Sequence, residues 1–491
     1  MKYVYGLVLF CSIVLWSSCR NDFETVPSTG NLEFSRDTVF LDTVFTNIGS
    51  STYNLKVYNT SDDDITIPTI RLGDGEDSQY RLNVDGLPGK IFNDINILAK
   101  DSIFVFVETT LDIDNLPGGG LEFLYEDKIQ FDTAGNQQDV TLITLVKDAV
   151  FLFPEDLGNG IYETLTLGSG EQAVDIEGFF LDNTELNFTN EKPYVIYGYA
   201  AVDSSKNLII QPGTNVFLHK NALLYVYKGS LDIQGTKDQP VTFQGDRLEL
   251  DYADVQGQYY GIYFQEALPS TINYAIIKNG TSGIHLFDDD PANPSYTLDI
   301  KNTKIYNCAR YGIFIYSGAK VKAENCLISK NGTHALIVLE GGDFNFNHCT
   351  LLGYGGFEDQ SAAVGISNYY VANNIANVGS INEGTITNSV IYGNLDHELA
   401  IDTLSDPAIT LNFNFTNNLI RSITTFTQPF FVNNLWNTSP QFRDEPENDF
   451  RFWSTSPLNG AGSNSFPTSN GLDIEETTRD LLNPDIGAYE Y

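Results

Sequence analysis

The sequence has few cysteines, few histidines and almost no methionine. Five cysteines, five histidines and one methionine occur in 491 residues. Cys308, Cys326 and Cys349 are the cysteines beyond the N-terminal region, and their odd number argues against a disulfide framework. No C-x-x-C pair occurs and the histidines lack metal-ligand spacing. The sequence therefore predicts neither a structural zinc site nor a bound cofactor.

Basic residues are also scarce. The 27 Lys and Arg residues face 64 Asp and Glu residues, which gives a formal net charge of -37. Such a surface repels the phosphates of nucleic acid, so we expect no nucleic-acid partner. It also disfavours polyanionic glycans unless a divalent cation bridges the two surfaces.

The N-terminal apolar run, Tyr3–Leu15, follows Lys2 and is too short to span a bilayer. The residues Leu15-Trp16-Ser17-Ser18-Cys19 come next and resemble a bacterial lipobox, although Trp16 is bulkier than the usual residue. The resemblance implies a signal peptide at 1–18 and an acylated Cys19 inserted in a lipid bilayer. Ordinary secretion with cleavage elsewhere is the alternative.

The residues after Cys19 are polar and acidic, as in Arg20–Glu24. They resemble the tether of Bacteroidota surface lipoproteins. The resemblance implies a lipidated tether at 19–30 and a location at the outer membrane, either periplasmic or surface-exposed.

No segment shows a long helical period, and 32 Phe and 27 Tyr residues favour strands. Between residues 31 and 150, short alternating runs such as Asn54–Tyr58 and Ser102–Glu108 are separated by spacers rich in Asp, Gly and Asn. This pattern predicts an antiparallel, immunoglobulin-like β-sandwich. We expect residues 151–200 to form a connector or the N-terminal cap of the next domain.

A repeat of Gly or Ala followed by an alternating apolar triplet begins at Gly261, Gly283, Gly312 and Ala335, at intervals of 22, 29 and 23 residues. The longest interval contains an insertion at Asp288–Tyr296. Short strands at this period are typical of the coils of a parallel β-helix, because each coil needs the next to pair its strand edges. We expect the helix to cover residues 201–435.

An Asn before a short apolar strand is a second repeated feature, at Asn302, Asn325, Asn368 and Asn388. Asn tolerates the left-handed backbone conformation of a tight corner, and stacked amides can bond to one another. Cys326 and Cys349 are 23 residues apart and so occupy equivalent positions. We interpret them as a stack of buried thiols, with a disulfide as the alternative.

Several segments together resemble a family of Bacteroidota lipoproteins that carry a sandwich before a right-handed parallel β-helix of pectin-lyase-like fold. The segments that resemble the lipoprotein family are Glu191–Tyr199, Val241–Arg247, Asn273–Gly280 and Lys322–Cys326, and those that resemble the opening coils of bacterial β-helix proteins of pectin-lyase-like fold are Leu208–Thr214 and Gly229–Thr236. The family has no settled biochemical role. The sequence Gln258-Tyr259-Tyr260-Gly261 departs from it, because relatives more often place Trp after Gln.

The last residues, Pro484–Tyr491, resemble the terminal segment common on bacterial β-helix proteins. The resemblance implies a C-terminal capping segment at 436–491. Its expected role is to cover the edge of the last coil.

Strand alternation predicts an outward row on the four repeated strands, formed by Tyr263, His285, Phe314 and Ile337, with Tyr316 beside it. An exposed aromatic row is costly unless it is covered or used. One interpretation is a groove in which sugar rings stack on Tyr263 and Phe314. The alternative is that the Asp288–Tyr296 insertion or another domain packs over the row.

Residues for an enzyme are less well defined. Hydrolysis needs an acid and a base carboxylate, and the dense acidic cluster of the helix is Asp288, Asp289 and Asp290. A polysaccharide lyase needs a base, for which Lys278 and Arg310 are the candidates. A solvated loop and solvated strand ends are the simpler interpretations.

Calcium and glycan attachment are two further hypotheses. Calcium has a candidate site at Asp74, Glu76 and Asp77, which lack EF-hand spacing. A short motif that resembles a Bacteroidota O-glycosylation sequon occurs at Thr38, Thr43, Ser102, Thr133 and Thr403.

Together these features predict a non-enzymatic surface lipoprotein that contacts glycan or a protein partner through its β-helix. The alternative is a carbohydrate-active enzyme, a polysaccharide lyase or glycoside hydrolase, that uses the same groove. A passive spacer is the third hypothesis.

Replacement of Cys19 by Ala should abolish incorporation of a palmitate analogue and release the protein from the membrane fraction, because the acylated thiol is the expected anchor. Metabolic labelling followed by fractionation measures both effects. Cys11→Ala, within the signal peptide, is the control. Continued labelling of the Cys19→Ala protein would contradict lipidation at this residue.

Overall fold

The computed structural model describes residues 24–116, 120–133, 135–167, 173–288, 295–355 and 361–491. The chain divides into two units, Met1–Asp148 and Ala149–Tyr491. The described segments form strands, with short 3-10 helices at Gly75–Asp77, Ile113–Asn115 and Leu250–Tyr252. No helix among them is long and apolar enough to cross a membrane. The all-β prediction is confirmed.

The first unit is the predicted β-sandwich, in which two sheets enclose an apolar core. Sheet A contains, in spatial order, Val26–Pro27, Ile65–Leu72, Glu122–Phe131, Gln138–Lys147 and Thr38–Phe45, with Ile91–Ile97 also paired to Ile65–Leu72. Sheet B contains Glu33–Phe34, Tyr53–Tyr58, Ser102–Thr109, Tyr80–Val84 and Leu87–Gly89. The alternating residues Leu55, Val57, Val105 and Val107 are fully buried in the core.

The sandwich is not wholly antiparallel. Thr38–Phe45 pairs in parallel with Gln138–Lys147, because strands so far apart in the sequence are free of the hairpin constraint. Val26–Pro27 pairs in parallel with Ile65–Leu72, so the structure places these tether residues within sheet A.

The second unit is a right-handed parallel β-helix whose coils contribute strands to three sheets in turn. Sheet 1 contains Thr164–Leu167, Val174–Phe180, Tyr199–Val202, Leu223–Tyr227, Gly261–Gln265, Ser282–Phe287, Tyr311–Tyr316, His334–Leu339, Val364–Ser367 and Leu399–Asp402. Sheet 2 contains Asn187–Phe188, Asn207–Ile210, Ser230–Gln234, Ser270–Asn273, Leu298–Lys301, Lys320–Glu324, Asp343–Asn347, Ile381–Thr387, Leu411–Thr416 and Phe431–Val432. Sheet 3 contains Val150–Leu152, Tyr194–Ile196, Asn215–Leu218, Val241–Gly245, Ala275–Lys278, Lys304–Tyr306, Leu327–Ser329, Thr350–Gly353, Val390–Gly393, Leu419–Ile420 and Leu435–Trp436.

The described residues of the second unit also form antiparallel pairs, of which Thr164–Leu167 with Val174–Phe180 begins sheet 1 and three others are hairpins outside the three sheets. The strands of these hairpins are Asp156–Gly158 with Ile161–Tyr162, Tyr369–Ala372 with Ile375–Val378, and Phe442–Asp444 with Asp449–Phe452. Residues 151–200 already contribute strands to all three sheets, so the coils start before the predicted boundary at 201.

The predicted alignment of the four repeated strands is confirmed. Ile262 pairs in register with Ile284, and the same register continues through Ile313 and Leu336. These side chains are fully buried and form one column of the core. Cys326 and Cys349 are buried and free, as the thiol-stack interpretation requires, and Cys308 is also buried and free.

A tight corner connects sheet 2 to sheet 3 from Tyr274 onward. The first residue of each corner has a positive φ; these residues are Tyr274, Asn302, Asn325, His348, Asn388, Asn417 and Asn433. Asn325 Nδ2 donates to Asn302 Oδ1 at 3.1 Å, and Asn388 Nδ2 lies 2.9 Å from His348 Nε2. The prediction for Asn368 is wrong, because Asn368 follows a strand of sheet 1 and His348 occupies this corner.

Apart from Trp436, the segment 436–491 that was predicted to cap the last coil lies along the side of the helix. Aromatic residues before residue 437 pack on the end of the core, namely Phe413, Phe426, Phe430, Phe431 and Trp436. The following segment packs along the side of the helix, where Phe450 and Ile486 cover Leu352 and Val390 of sheet 3. The apolar outer face of sheet 3 accounts for this placement.

One corner between sheets 3 and 1 contains a buried carboxylate, that of Glu398. Its oxygens accept hydrogen bonds from the backbone N–H groups of Ala363 (2.7 Å) and Leu395 (2.8 Å). Gly353 and Gly393 leave room for it, because a Cβ at either position would collide with the carboxylate. Burial raises the pKa of Glu398 to about 7.

This pKa makes stability depend on pH. The folded protein holds the Glu398 proton more tightly than an unfolded chain, whose ordinary pKa is 4.5, so the stabilisation is full below pH 4.5 and disappears as pH rises through 7. Between pH 5 and 8 the free energy of unfolding should fall by roughly 2 to 3 kcal/mol from this group.

Urea unfolding of wild type and Glu398→Gln across that range measures the effect. The variant should show a flatter pH profile even though it is less stable overall, because its amide nitrogen faces a backbone N–H. Glu447→Gln, at an exposed position, is the control. Parallel profiles for wild type and Glu398→Gln would contradict the assignment.

Candidate functional site

The predicted outward row lies on the outer face of sheet 1. Register places Tyr263 beside His285, His285 beside Phe314, and Phe314 beside Ile337. Tyr225 extends the row by one coil toward the N-terminus. The four predicted residues are partly exposed, so the row is neither open to solvent nor fully covered.

The rings of this row stack on one another. Centroid separations are 5.5 Å for Tyr225–Tyr263, 4.5 Å for Tyr263–His285 and 4.4 Å for His285–Phe314, with interplanar angles of 11 to 24°. Nearly parallel rings at the two shorter separations overlap face to face, because coplanar rings so close would collide. Solvent therefore meets ring edges, and a sugar has little access to the faces of Tyr263 and Phe314.

His285 is the polar member of the stack. Burial lowers the pKa of His285 to about 4, so its imidazole is neutral at physiological pH. The Tyr260 hydroxyl lies 3.2 Å from Nδ1. Nε2 is buried and has no hydrogen-bond partner among the described residues.

Tyr316 belongs to a second outward row, beside Phe287 and Leu339. Burial is the main cause that raises the pKa of Tyr316 to about 12, and the neighbouring Glu340 carboxylate raises it further. This contact connects the aromatic face to the border where sheet 1 ends and sheet 2 begins.

Insertions lie along both borders of sheet 1. The described segments 246–258 and 394–398 precede strands of this sheet, and 368–380 and 403–410 follow them. By contrast, the corner between sheets 2 and 3 is one or two residues long from Tyr274 onward. In stacked-repeat proteins, insertions that collect on one face often mark the binding face.

A cleft of about 410 Å³ lies on the border between sheets 1 and 2. Its lining includes polar side chains from two successive coils and small residues from the segments 368–380 and 403–410. The lining residues are Ser317, Gly318, Lys320, Glu340, Gly342, Asp343, Val378, Gly379, Ser380, Asn382, Ala408 and Ile409. None of them was a candidate from the sequence, although Gly318 and Gly342 mark equivalent corners with positive φ.

The candidates for catalysis are not brought together. Asp288 directly follows the sheet 1 strand Ser282–Phe287 and is buried, so it is not the solvated residue expected; Asp289 and Asp290 lie outside the described residues. Arg310 is exposed before the neighbouring strand, at the opposite border of sheet 1. A strand of this length separates the borders by roughly 20 Å. Lys278 ends a strand of sheet 3.

The remaining candidates are dispersed. Asp74 precedes the exposed 3-10 helix that contains Glu76 and Asp77, and the described ranges hold no group of three metal-ligating side chains. Of the candidate glycosylation residues, Thr133 is exposed and the other four are partly exposed: Thr38, Thr43, Ser102 and Thr403. Cys19 lies outside the described residues.

The comparisons with known proteins agree with the fold of the second unit. A family model described as right-handed beta helix region matches residues 182–351. No curated protein matches the sequence. The fold and this match define a protein built on a right-handed parallel β-helix.

Two solved structures show only distant similarity. The periplasmic chaperone SfaE is 13% identical, with 24% of this chain and 57% of its own covered and a TM-score of 0.16. A family 123 glycoside hydrolase from Clostridium perfringens is 9% identical, with 23% and 26% covered and a TM-score of 0.16. The chain thus spans little more than half of the first protein and about a quarter of the second. Scores this low define no shared fold.

Substitutions at His285 test the structural role of the aromatic stack. His285→Phe keeps the stacking and removes the buried Nε2, so its free energy of unfolding should stay within about 1 kcal/mol of wild type. His285→Ala leaves a gap between Tyr263 and Phe314 and should lose roughly 1 to 3 kcal/mol. Urea unfolding measures both variants. Equal stability of the two variants would show that the stack is not what His285 contributes.

Proposed function

We propose that the protein is a lipid-anchored outer-membrane protein that binds glycan, without catalysis, on the outer face of sheet 1. The observation that carries this proposal is the collection of insertions on both borders of one aromatic sheet. From Tyr274 onward the corners between sheets 2 and 3 have only one or two residues, so the longer loops beside sheet 1 need a reason of their own.

The chemistry of the face suits an uncharged, hydroxyl-rich ligand. Ring edges, the hydroxyl of Tyr263 and the apolar side chains of Ile337 and Leu339 are partly exposed along it. Tyr combines apolar area with a hydrogen-bonding tip, which matches the mixed surface of a sugar. The net charge of -37 favours a neutral glycan over a uronate-rich one.

Binding is favoured over hydrolysis by the state of the carboxylates in the cleft. Asp343 Oδ1 accepts from the backbone N–H groups of Asn382 (2.7 Å) and Glu383 (3.1 Å), and Oδ2 lies 3.8 Å from Lys320 Nζ. These contacts commit Asp343 to a structural role. Glu340 then remains as the available carboxylate among the described lining residues, whereas glycoside hydrolysis requires two.

A glycan array, with and without calcium, followed by calorimetry on the best neutral oligosaccharide, tests the proposal. Phe314→Ala opens the face beside His285 and Ile337 and should weaken binding about tenfold, equivalent to about 1.4 kcal/mol. Tyr306→Ala removes a partly buried aromatic residue from sheet 3 and is the matched control, expected to bind like wild type.

A polysaccharide-depolymerisation assay accompanies the array. Release of shorter products would overturn the non-catalytic assignment and favour the enzyme hypothesis. Failure of every glycan to bind, with a protein captured instead, would replace glycan by a protein partner. An empty result in both would leave the passive spacer.

A further inference from the structure

The cleft on the border between sheets 1 and 2 is separate from the aromatic row. Its walls come from the corners after two neighbouring sheet 1 strands, Tyr311–Tyr316 and His334–Leu339, and from the segments 368–380 and 403–410. At about 410 Å³ it falls within the size range of small-molecule sites. It is therefore a concave site beside a flat face.

The floor of the cleft is polar and held in place. The side chains of Lys320 and Asp343 are 12% and 10% exposed, so their ion pair is largely removed from water. Two backbone N–H groups fix the Asp343 carboxylate from the other side. Because the Lys320 and Asp343 side chains are already held in place, a ligand that bonds to them costs little further side-chain entropy.

Glu340 supplies an acceptor at the rim. Its backbone has a φ of 60°, and its carboxylate lies near the Tyr316 hydroxyl, whose pKa it raises. No cation pairs with Glu340 among the residues that the structure describes. A carboxylate has room for about four hydrogen bonds, so it can accept from ligand hydroxyls as well.

The opposite wall of the cleft combines aliphatic and polar side chains. Val378 and Ile409 present aliphatic surface, and Ser380 and Asn382 lie beside them. An acceptor carboxylate, an amide with both donor and acceptor groups, and an aliphatic wall together match one sugar ring, which has adjacent hydroxyls and a C–H face.

We propose that this cleft binds a single neutral sugar unit, with Glu340 and Asn382 bonding to its adjacent hydroxyls and Ile409 packing on its C–H face. This inference rests on the proposed glycan-binding function and makes the cleft its specificity site. A uronate is disfavoured because its carboxylate would meet Glu340 and Asp343 in a protein of net charge -37, and the cation in the lining, Lys320, is already paired with Asp343.

Calorimetry with neutral gluco-, manno- and xylo-oligosaccharides, and with an oligogalacturonate, tests the inference on the full-length protein. Glu340→Gln keeps the shape of the side chain and should weaken binding of the preferred neutral sugar at least tenfold. Ala408→Trp, at an exposed loop position, should block the cleft and have the same effect without disturbing the core. Urea unfolding checks that both variants are folded.

The matched control is Glu266→Gln. Glu266 occupies the equivalent corner of an earlier coil, with a φ of 47°, but lies outside the cleft. The Glu266→Gln variant should therefore bind the preferred neutral sugar like wild type.

The outcomes separate this inference from the proposed function. If Phe314→Ala weakens binding while Glu340→Gln and Ala408→Trp do not, the cleft assignment is overturned and the aromatic face remains the site. Preference for the oligogalacturonate would also overturn it. If no oligosaccharide binds, both proposals fail together.

Discussion

The backbone hydrogen bonds between successive coils are the interaction on which the second unit depends. Each coil leaves the edges of its strands unpaired until the next coil is added, about 4.8 Å away. This spacing places equivalent residues of neighbouring coils in contact, whatever their side chains. The buried column through Ile262 and Ile284, the amide contact between Asn302 and Asn325, and the thiols of Cys326 and Cys349 are consequences of the same spacing.

The same spacing decides what the outer face of sheet 1 can do. Neighbouring rings brought this close by the coils stack with their faces together, as Tyr263, His285 and Phe314 do. Stacking stabilises the coils but uses the surface that a sugar would otherwise cover. A ligand can then contact ring edges, hydroxyl groups and the loops at the borders, where the chain does not follow the repeat.

The period and the alignment of Ile262 with its partners could be predicted because they depend on neighbouring coils and strand alternation alone. The corner at His348 was missed because an Asn at the wrong offset, Asn368, fitted the pattern better. The cleft could not be predicted, since Glu340, Asn382 and Ile409 meet only after two insertions have folded back onto the corner. Insertions break the period, and the period was the source of the positional predictions within the β-helix.

The C-terminal segment leaves sheets 1 and 2 as the candidate faces. The later strands of sheet 3 have an apolar exterior, and Phe450, Ile486 and their neighbours cover Leu352 and Val390. Arg479 fixes this segment with bonds to Asn325 Oδ1 and to the Gly487 carbonyl, both 2.9 Å long. Arg479 thereby holds the segment against the corner between sheets 2 and 3. The part of sheet 3 that is covered in this way has no surface left for a ligand. Sheet 1 combines partly exposed aromatic residues with long loops at its borders, and the cleft opens where one border meets sheet 2.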